Sequence, residues 1–136
     1  MGQTGTDLIQ QWLAASPLLK HLGMEVVRLE PDAAEVKLPF DTNITTIADV
    51  VHGGALSALI DTAATAAAWS GAEAPESARG TTVGLTVSFM GPARGQDVTA
   101  TARVARRGKS LVFCDVEAVA ADGTLVAKGL VTYKLG

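Results

Sequence analysis

A line of three polar side chains crosses an otherwise apolar stretch of this sequence. Ser57, Asp61 and Thr65 stand four residues apart among alanines and leucines. In a helix this spacing places all three on one line. A carboxylate that is buried without a partner is strongly destabilising. Asp61 must therefore reach a partner, water or a cavity, either to act on a substrate or to make a structural hydrogen bond at a subunit contact.

The segment His52-Gly53-Gly54 begins this predicted helix. The first amides of a helix have no internal acceptor, and the helix dipole makes that end positive. Glycine lets a ligand approach the backbone closely, and such amides can stabilise the oxyanion that forms when a carbonyl is attacked. The same residues also suit a plain turn from loop into helix.

The distance between these two features predicts an assembly. Gly53 and Asp61 are eight residues apart, which is roughly 12 Å along a helix. One carbonyl group cannot touch both in the same chain. If both act on it, they meet across a two-fold axis between antiparallel helices, so the protein is expected to be at least a homodimer with two equivalent composite sites.

The elements that position these residues follow from periodicity and from turn residues. Leu8, Ile9, Trp12 and Leu13 have helical spacing, and Pro17 breaks or restarts that helix. The turns Glu30-Pro31-Asp32 and Asp122-Gly123 separate alternating segments that read as strands. The predicted elements are a helical segment at Asp7–Leu22, strands at Met24–Leu29 and Ala33–Leu38, an irregular loop at Pro39–Val51, a long helix at Gly53–Ser70, a polar loop at Glu73–Arg79, and strands at Thr81–Met90, Asp97–Arg106, Ser110–Ala120 and Thr124–Tyr133.

This order predicts a single α+β domain over residues 1–136, with the N-terminal helical segment in residues 1–22. The long helix is apolar on nearly every face, so it must be buried. Short connections between the strands favour antiparallel pairing. One antiparallel β-sheet wrapped around one long buried helix satisfies both conditions.

The segment Val51–Asp61 resembles the PaaI-like branch of the hotdog-fold thioesterases. The stretches Arg107–Leu111 and Asp122–Ala127 also resemble that family's last hairpin, and the likeness extends from Met24 to the C-terminus. The branch includes thioesterases of phenylacetate breakdown, 4-hydroxybenzoyl-CoA thioesterases and mammalian acyl-CoA thioesterases. The resemblance implies a hotdog fold, an acyl-CoA substrate, hydrolysis of its thioester and a tetramer made of two dimers.

The resemblance also implies roles for the residues of the motif. Gly53 supplies the amide that polarises the thioester carbonyl, with Gly54 beside it. Asp61 of the other subunit acts as general base or nucleophile. Thr65 matches a position where the family can carry a hydroxyl that orients the attacking water. His52 shapes the loop and helps to bind the thioester.

Two further positions concern the substrate. Thr82, near the start of the following strand, matches a hydroxyl position near the site. The family loop often reads Asn-x-x-Gly-x-x-His-Gly-Gly, but here Thr46 and Asp49 replace its first two marked residues. Either Thr46 replaces the asparagine, or the loop carries Asn43 into reach.

Basic residues near the site mouth are expected because CoA carries phosphates. Arg106, Arg107 and Lys109 flank a turn at Gly108, and Arg94 lies in the preceding loop. Phosphate binding and an ordinary solvated turn are both open for this hairpin. The candidates for the wall of the acyl pocket, aryl or aliphatic, are Phe40, Phe89, Met90 and Trp69.

Composition argues against other partners. The net charge is −3, whereas a duplex-binding domain is usually basic, so nucleic acid is not expected. No cofactor and no metal site are expected, since neither His21 nor His52 has a neighbouring ligand cluster. Cys114 is the single cysteine and is expected in the core. A lone thiol, no visible signal peptide and no run long enough to span a membrane predict a cytoplasmic protein.

Two alternatives differ in class. A non-catalytic acyl-CoA-binding hotdog module would bind the ligand and release no thiol, but binding alone does not need the helix carboxylate. A hydratase or dehydratase of the same fold generally pairs a histidine with an aspartate, and His52 and Asp61 are not placed like that pair. Hydrolysis is therefore the favoured hypothesis.

Overall fold

The computed structural model of the chain describes residues 4–73 and 79–136. Within these residues the chain forms three α-helices, one short 3-10 helix and six β-strands. In chain order they are α1 (Gly5–Ala15), α2 (Pro17–Leu22), β1 (Glu25–Glu30), β2 (Ala33–Leu38), the 3-10 helix (Thr42–Ile44), α3 (Gly53–Trp69), β3 (Gly80–Phe89), β4 (Val98–Arg107), β5 (Leu111–Ala120) and β6 (Leu125–Leu135).

The two N-terminal helices meet at Pro17. Thr4 caps α1, because its hydroxyl accepts the Asp7 N–H at 3.1 Å and the Asp7 carboxylate accepts the Thr4 N–H at 3.2 Å. Ser16 ends α1 and caps α2, whose first residue is Pro17. Proline is tolerated at that position because its missing N–H would have had no acceptor in the helix. The helix therefore restarts at Pro17, one of the two predicted outcomes.

The six strands form one antiparallel sheet in the order β1-β2-β4-β5-β6-β3. The predicted turn at Asp122-Gly123 joins β5 to β6, and Gly123 has a φ of 90° there, which glycine adopts without strain. β1 and β3 are the edge strands. β3 pairs with β6 along one side, so its other side carries a row of backbone groups without a neighbouring strand in the described chain.

One face of this sheet packs on α3 and forms the core. A Cβ added to Gly129 of β6 would meet the Ile60 side chain, so glycine lets helix and sheet approach closely. Val104 is only half-buried, and the register of β4 shifts directly after it, between Val104 and Arg106. The other inward residues of β4 and β5 are buried as predicted: Val98, Ala100, Ala102, Val112, Cys114, Val116 and Ala118.

Cys114 lies in this core, as expected. Burial raises the pKa of its thiol to about 11, so the thiol stays protonated at neutral pH. Because the thiolate is the reactive form of cysteine, this group packs against α3 and is unsuited to nucleophilic chemistry.

The predicted order of elements and the hotdog architecture are confirmed. β2 has the predicted bounds, the ends of the other strands differ from the prediction by at most two residues, and the loop before α3 contains the short 3-10 helix. Residues 1–3 of the predicted N-terminal segment and residues 74–78 of the predicted polar loop lie outside the described residues. In the described part of the chain, every helix is too short or too polar to cross a membrane.

Candidate active site

One face of α3 is covered neither by the sheet nor by α1. Ser57, Asp61 and Thr65 are half-buried there, with Ala58 and Thr62 beside them, whereas the other residues of the helix beyond its first turn are buried. Packing therefore buries the apolar faces of α3, and the line of polar side chains remains at the surface. Asp61 therefore faces outward from the protomer and not into its core.

A hydroxyl on the edge strand orients the Asp61 carboxylate. Thr82 Oγ1 donates a hydrogen bond to Asp61 Oδ1 at 2.6 Å, a length typical of a hydroxyl that binds a carboxylate. Asp61 Oδ2 makes no hydrogen bond within residues 4–73 and 79–136. One oxygen is therefore held by Thr82, and the other has no partner in the described residues. The structure brings Thr82 and Asp61 together, as expected from sequence, although they are 21 residues apart.

His52 acts as the N-cap of α3. Its Nδ1 accepts the Gly54 N–H at 2.7 Å. In a neutral imidazole that bonds in this way, the proton is on Nε2. The lone pair that a general base would use is therefore engaged in the cap, and the ring presents an N–H donor instead. This agrees with a role for His52 in shaping the loop.

The Gly53 N–H is left free at the same end of the helix. It makes no hydrogen bond within the described residues, as expected for the first amide of a helix. A Cβ added to Gly53 would make ordinary contact with the Phe89 ring at 3.4 Å, whereas one added to Gly54 would lie 2.9 Å from His52 Nδ1. Gly54 is thus required by the cap, while the protomer's own packing does not require glycine at position 53.

The loop before α3 contains the two candidate replacements for the family asparagine. Thr46 is exposed, and its backbone N–H donates to Val50 O at 2.9 Å. Asn43 is exposed in the 3-10 helix, where its N–H is capped by Asp41. Neither side chain hydrogen-bonds Asp61 or His52 in the described residues. Within the described residues, neither side chain therefore supplies the hydrogen bond that is expected of the family asparagine.

The basic residues of the predicted phosphate site have different surroundings. Arg106 and Lys109 are exposed. The Arg107 guanidinium binds Asp32 Oδ1 at 2.7 Å and Ala68 O at 2.8 Å. It thus occupies the C-terminal end of α3, a helix of 17 residues that is roughly 25 Å long. Sequence reasoning missed this cap, since nothing in the spacing relates Arg107 to α3.

The four candidates for the wall of the acyl pocket also have different surroundings. Trp69 is fully buried, and its indole Nε1 donates to Tyr133 Oη at 2.9 Å, so it belongs to the core. Phe89, the last residue of β3, is 55 % exposed and lies on Gly53. Phe40 is half-buried, and Met90 is exposed. The Phe89 ring contacts the N-terminal end of α3 at Gly53, whereas Met90 lies with Thr86 and Ser88 on the face of the sheet that points away from α3.

The sheet wraps around a helix with one oriented carboxylate and with an N-terminal amide that has no partner in residues 4–73 and 79–136. This arrangement defines a hotdog protein with a candidate hydrolytic site. The sequence pattern of the thioesterase superfamily matches residues 48–127. The chain belongs to this superfamily, and it is a thioester hydrolase. The matched region contains the whole of α3, Thr82 and Phe89.

Individual proteins agree with this assignment. The chain is 29 % identical to human acyl-coenzyme A thioesterase 13 over 139 aligned positions, covering 100 % of this chain and 97 % of that protein. A thioesterase family protein from Silicibacter pomeroyi has a similar structure, with a TM-score of 0.88, 27 % identity and coverage of 97 % and 99 % of the two chains. The PaaI protein of E. coli shares the fold, with a TM-score of 0.83, 23 % identity and coverage of 97 % and 94 %.

Proposed function

We propose that this chain is an acyl-CoA thioesterase in which Asp61 acts on the thioester as general base or nucleophile. The observation that carries the proposal is the hydrogen bond from Thr82 to Asp61 Oδ1, which leaves Oδ2 free on the uncovered face of α3. The human relative is named for hydrolysis of acyl-CoA. A module that only binds acyl-CoA has no use for a carboxylate oriented in this way.

In this mechanism the Gly53 N–H binds the carbonyl oxygen of the thioester. The free oxygen of Asp61 either takes a proton from the attacking water or attacks the carbonyl carbon itself. Negative charge then develops on the carbonyl oxygen, where the amide and the positive end of the helix stabilise it. In the base route, collapse breaks the C–S bond, the proton held by Asp61 passes to the CoA thiolate, and the acid is released. In the nucleophilic route, collapse releases CoA and leaves the acyl group on Asp61 as an anhydride, which a water molecule then hydrolyses to the acid. Thr65 orients the water, and the Nε2–H of His52 is an additional donor beside the substrate.

The two groups come from different subunits of a homodimer. Within one helix Gly53 and Asp61 are roughly 12 Å apart, too far to share one carbonyl. The uncovered face of α3 adjoins edge strand β3, whose inward residues Leu85 and Val87 keep part of their surface exposed. A second subunit placed here would cover apolar surface and pair the strand edge. Two such dimers give the tetramer implied by the resemblance.

The same dimer arrangement indicates where the phosphates of CoA would bind. When two helices run antiparallel, the C-terminal end of one lies beyond the N-terminal end of the other. The hairpin that carries Arg106 and Lys109 would then flank the Gly53 end of the partner's helix. These two exposed cations are therefore the proposed phosphate contacts, whereas Arg107 holds the helix end.

The test is Asp61→Asn, which keeps the size of the side chain and removes the base. Loss of a general base lowers kcat by about 10²–10⁴-fold. KM should change little, because the carbonyl donor is elsewhere. Release of CoA from a panel of acyl-CoAs would be measured together with sedimentation. Near-full kcat in a folded oligomer would show that the carboxylate is structural.

A mixing experiment tests the shared site. Gly53→Pro removes the amide donor, and a hybrid of this subunit with Asp61→Asn contains one intact site and one doubly defective site. Random mixing of the two inactive variants by mild unfolding and refolding should restore about a quarter of wild-type activity. No restoration in verified hybrids would place both groups on one chain and contradict the composite site.

A further inference from the structure

The ring of Phe89 lies against the residue that is proposed to bind the thioester oxygen. Its Cε1 and Cζ atoms are both 3.4 Å from the position that a Cβ of Gly53 would occupy. Phe89 belongs to the inward face of β3, opposite Ala127 of β6, yet it is 55 % exposed. A large apolar ring therefore stands at the surface, directly beside the free amide.

We propose that Phe89 is the specificity-determining residue that selects acyl groups unbranched at the carbon next to the thioester carbonyl. The inference rests on the proposed function, in which the Gly53 N–H binds the carbonyl oxygen. A hydrogen bond of about 2.9 Å brings the carbonyl carbon close to Gly53, so that one side of the substrate faces the ring. Whatever is attached to that carbon must fit beside Phe89.

The acyl group, and not the pantetheine arm, is the part that faces the ring. The arm contains amides, and an amide buried against an apolar surface without a hydrogen bond is unfavourable. A hydrocarbon acyl group gains from the same contact. A methylene next to the planar carbonyl can lie flat on the ring, whereas a second methyl on that carbon projects from the plane and presses into it.

The experiment compares butyryl-CoA with isobutyryl-CoA, which have the same number of carbons and differ in branching. In the wild-type enzyme the kcat/KM ratio of butyryl-CoA to isobutyryl-CoA should be about ten, the penalty of one overpacked methyl. Phe89→Ala should bring the ratio towards one, mainly by raising kcat/KM for isobutyryl-CoA. Phe89→Leu, with less bulk near Gly53, should give an intermediate ratio. Met90→Ala is the matched control, since Met90 lies with Thr86 and Ser88 on the opposite face of the sheet.

The outcomes separate this inference from the proposed function. A wild-type ratio near one, or an unchanged ratio in folded Phe89→Ala and Phe89→Leu, overturns the role of Phe89 and leaves the thioesterase standing. A wild-type enzyme that releases CoA from no acyl-CoA overturns the proposed function, and the inference with it. A ratio that falls in both Phe89 variants but not in Met90→Ala supports both.

Discussion

The two ends of α3 differ in how the protomer satisfies the backbone groups that have no partner within the helix. At the N-terminal end, His52 caps the Gly54 N–H and the Gly53 N–H has no partner in the described chain. At the C-terminal end, Arg107 binds the carbonyl of Ala68, and the Ser70 carbonyl accepts the Asp32 N–H at 3.0 Å. Both ends of a helix carry groups that need partners, but only the N-terminal end keeps an amide, that of Gly53, without a partner in the described residues.

This difference fits the proposal that the C-terminal end of α3 serves stability and the N-terminal end binds the substrate. Gly53 is only half-buried, so its N–H is open to water in the free protein and to the thioester oxygen in the proposed complex. The carbonyl end lies beside α1 and the turn at Asp32, and the protein's own side chains satisfy it. The following changes test this contrast, from the largest expected effect to the smallest.

Gly53→Pro should have the largest effect. Proline is favoured at the first position of a helix, and the preceding residue His52 already has the extended backbone (φ −62°, ψ 134°) that a following proline needs. The substitution therefore removes the N–H with little strain. We expect kcat to fall by about 10²–10³-fold, the typical loss for one oxyanion donor, with an unchanged melting temperature.

Gly53→Ala is its matched control, because it adds a Cβ at the same place and keeps the N–H. The added methyl group only touches Phe89, so this variant should fold normally and lose much less activity. Equal losses of kcat in the alanine and proline variants would mean that bulk, and not the missing donor, is responsible.

Arg107→Met should act on stability and not on catalysis. The change leaves carbonyls at the end of α3 without their charged donor, and we expect the free energy of unfolding to fall by about 2–3 kcal/mol. Denaturant titration measures this value. KM for acyl-CoA should stay close to that of the wild type after correction for folded enzyme.

Arg106→Gln provides the contrasting case on the same hairpin. Its side chain is exposed, so stability should change little, while KM for CoA substrates should rise. Short thioesters without the nucleotide should be unaffected. A rise in KM with Arg107→Met but not with Arg106→Gln would reverse the roles assigned to these two cations.

Ser70→Ala should have the smallest effect. Ser70 Oγ is fully buried and has no hydrogen-bond partner in the part of the chain that the structure describes. Removing an unsatisfied hydroxyl should leave stability unchanged or raise it by up to about 1 kcal/mol. A clear loss of stability on thermal unfolding would show that the hydroxyl has a partner in the folded protein.

The periodicity of the chain was sufficient to predict the elements. The apolar segment after His52 required a buried helix, and alternation with turn glycines required the strands of the meander. Asp61 could also be singled out from sequence as a candidate site residue, because a carboxylate in a buried apolar helix is destabilising unless it reaches a partner, water or a ligand. These features are local, since they depend on residues within one or two turns of helix or a few positions of strand.

Contacts between distant parts of the chain could not be predicted in the same way. Phe89 lies on Gly53 and Arg107 caps α3, although each pair is more than 30 residues apart in sequence. Sequence reasoning grouped Arg107 with Arg106 as a phosphate contact and Trp69 with Phe89 as pocket wall. Arg107 points to the end of α3, whereas Arg106 is exposed. Trp69 is in the core, whereas Phe89 is exposed. The residue types alone do not indicate in which direction each side chain points.

The sequence by itself determined the buried helix, its single carboxylate and the glycines at its start. Its spacing also required that the site be shared if Gly53 and Asp61 act together, because the rise of a helix is constant. Only the tertiary structure decided that Thr82 binds Asp61 Oδ1 and that His52 Nδ1 accepts the Gly54 N–H. It also decided that the Gly53 amide lies beside Phe89 without a partner in the described residues. The reason is physical: hydrogen bonds and ring contacts depend on how sheet and helix cross, and that crossing is set by packing of the whole core.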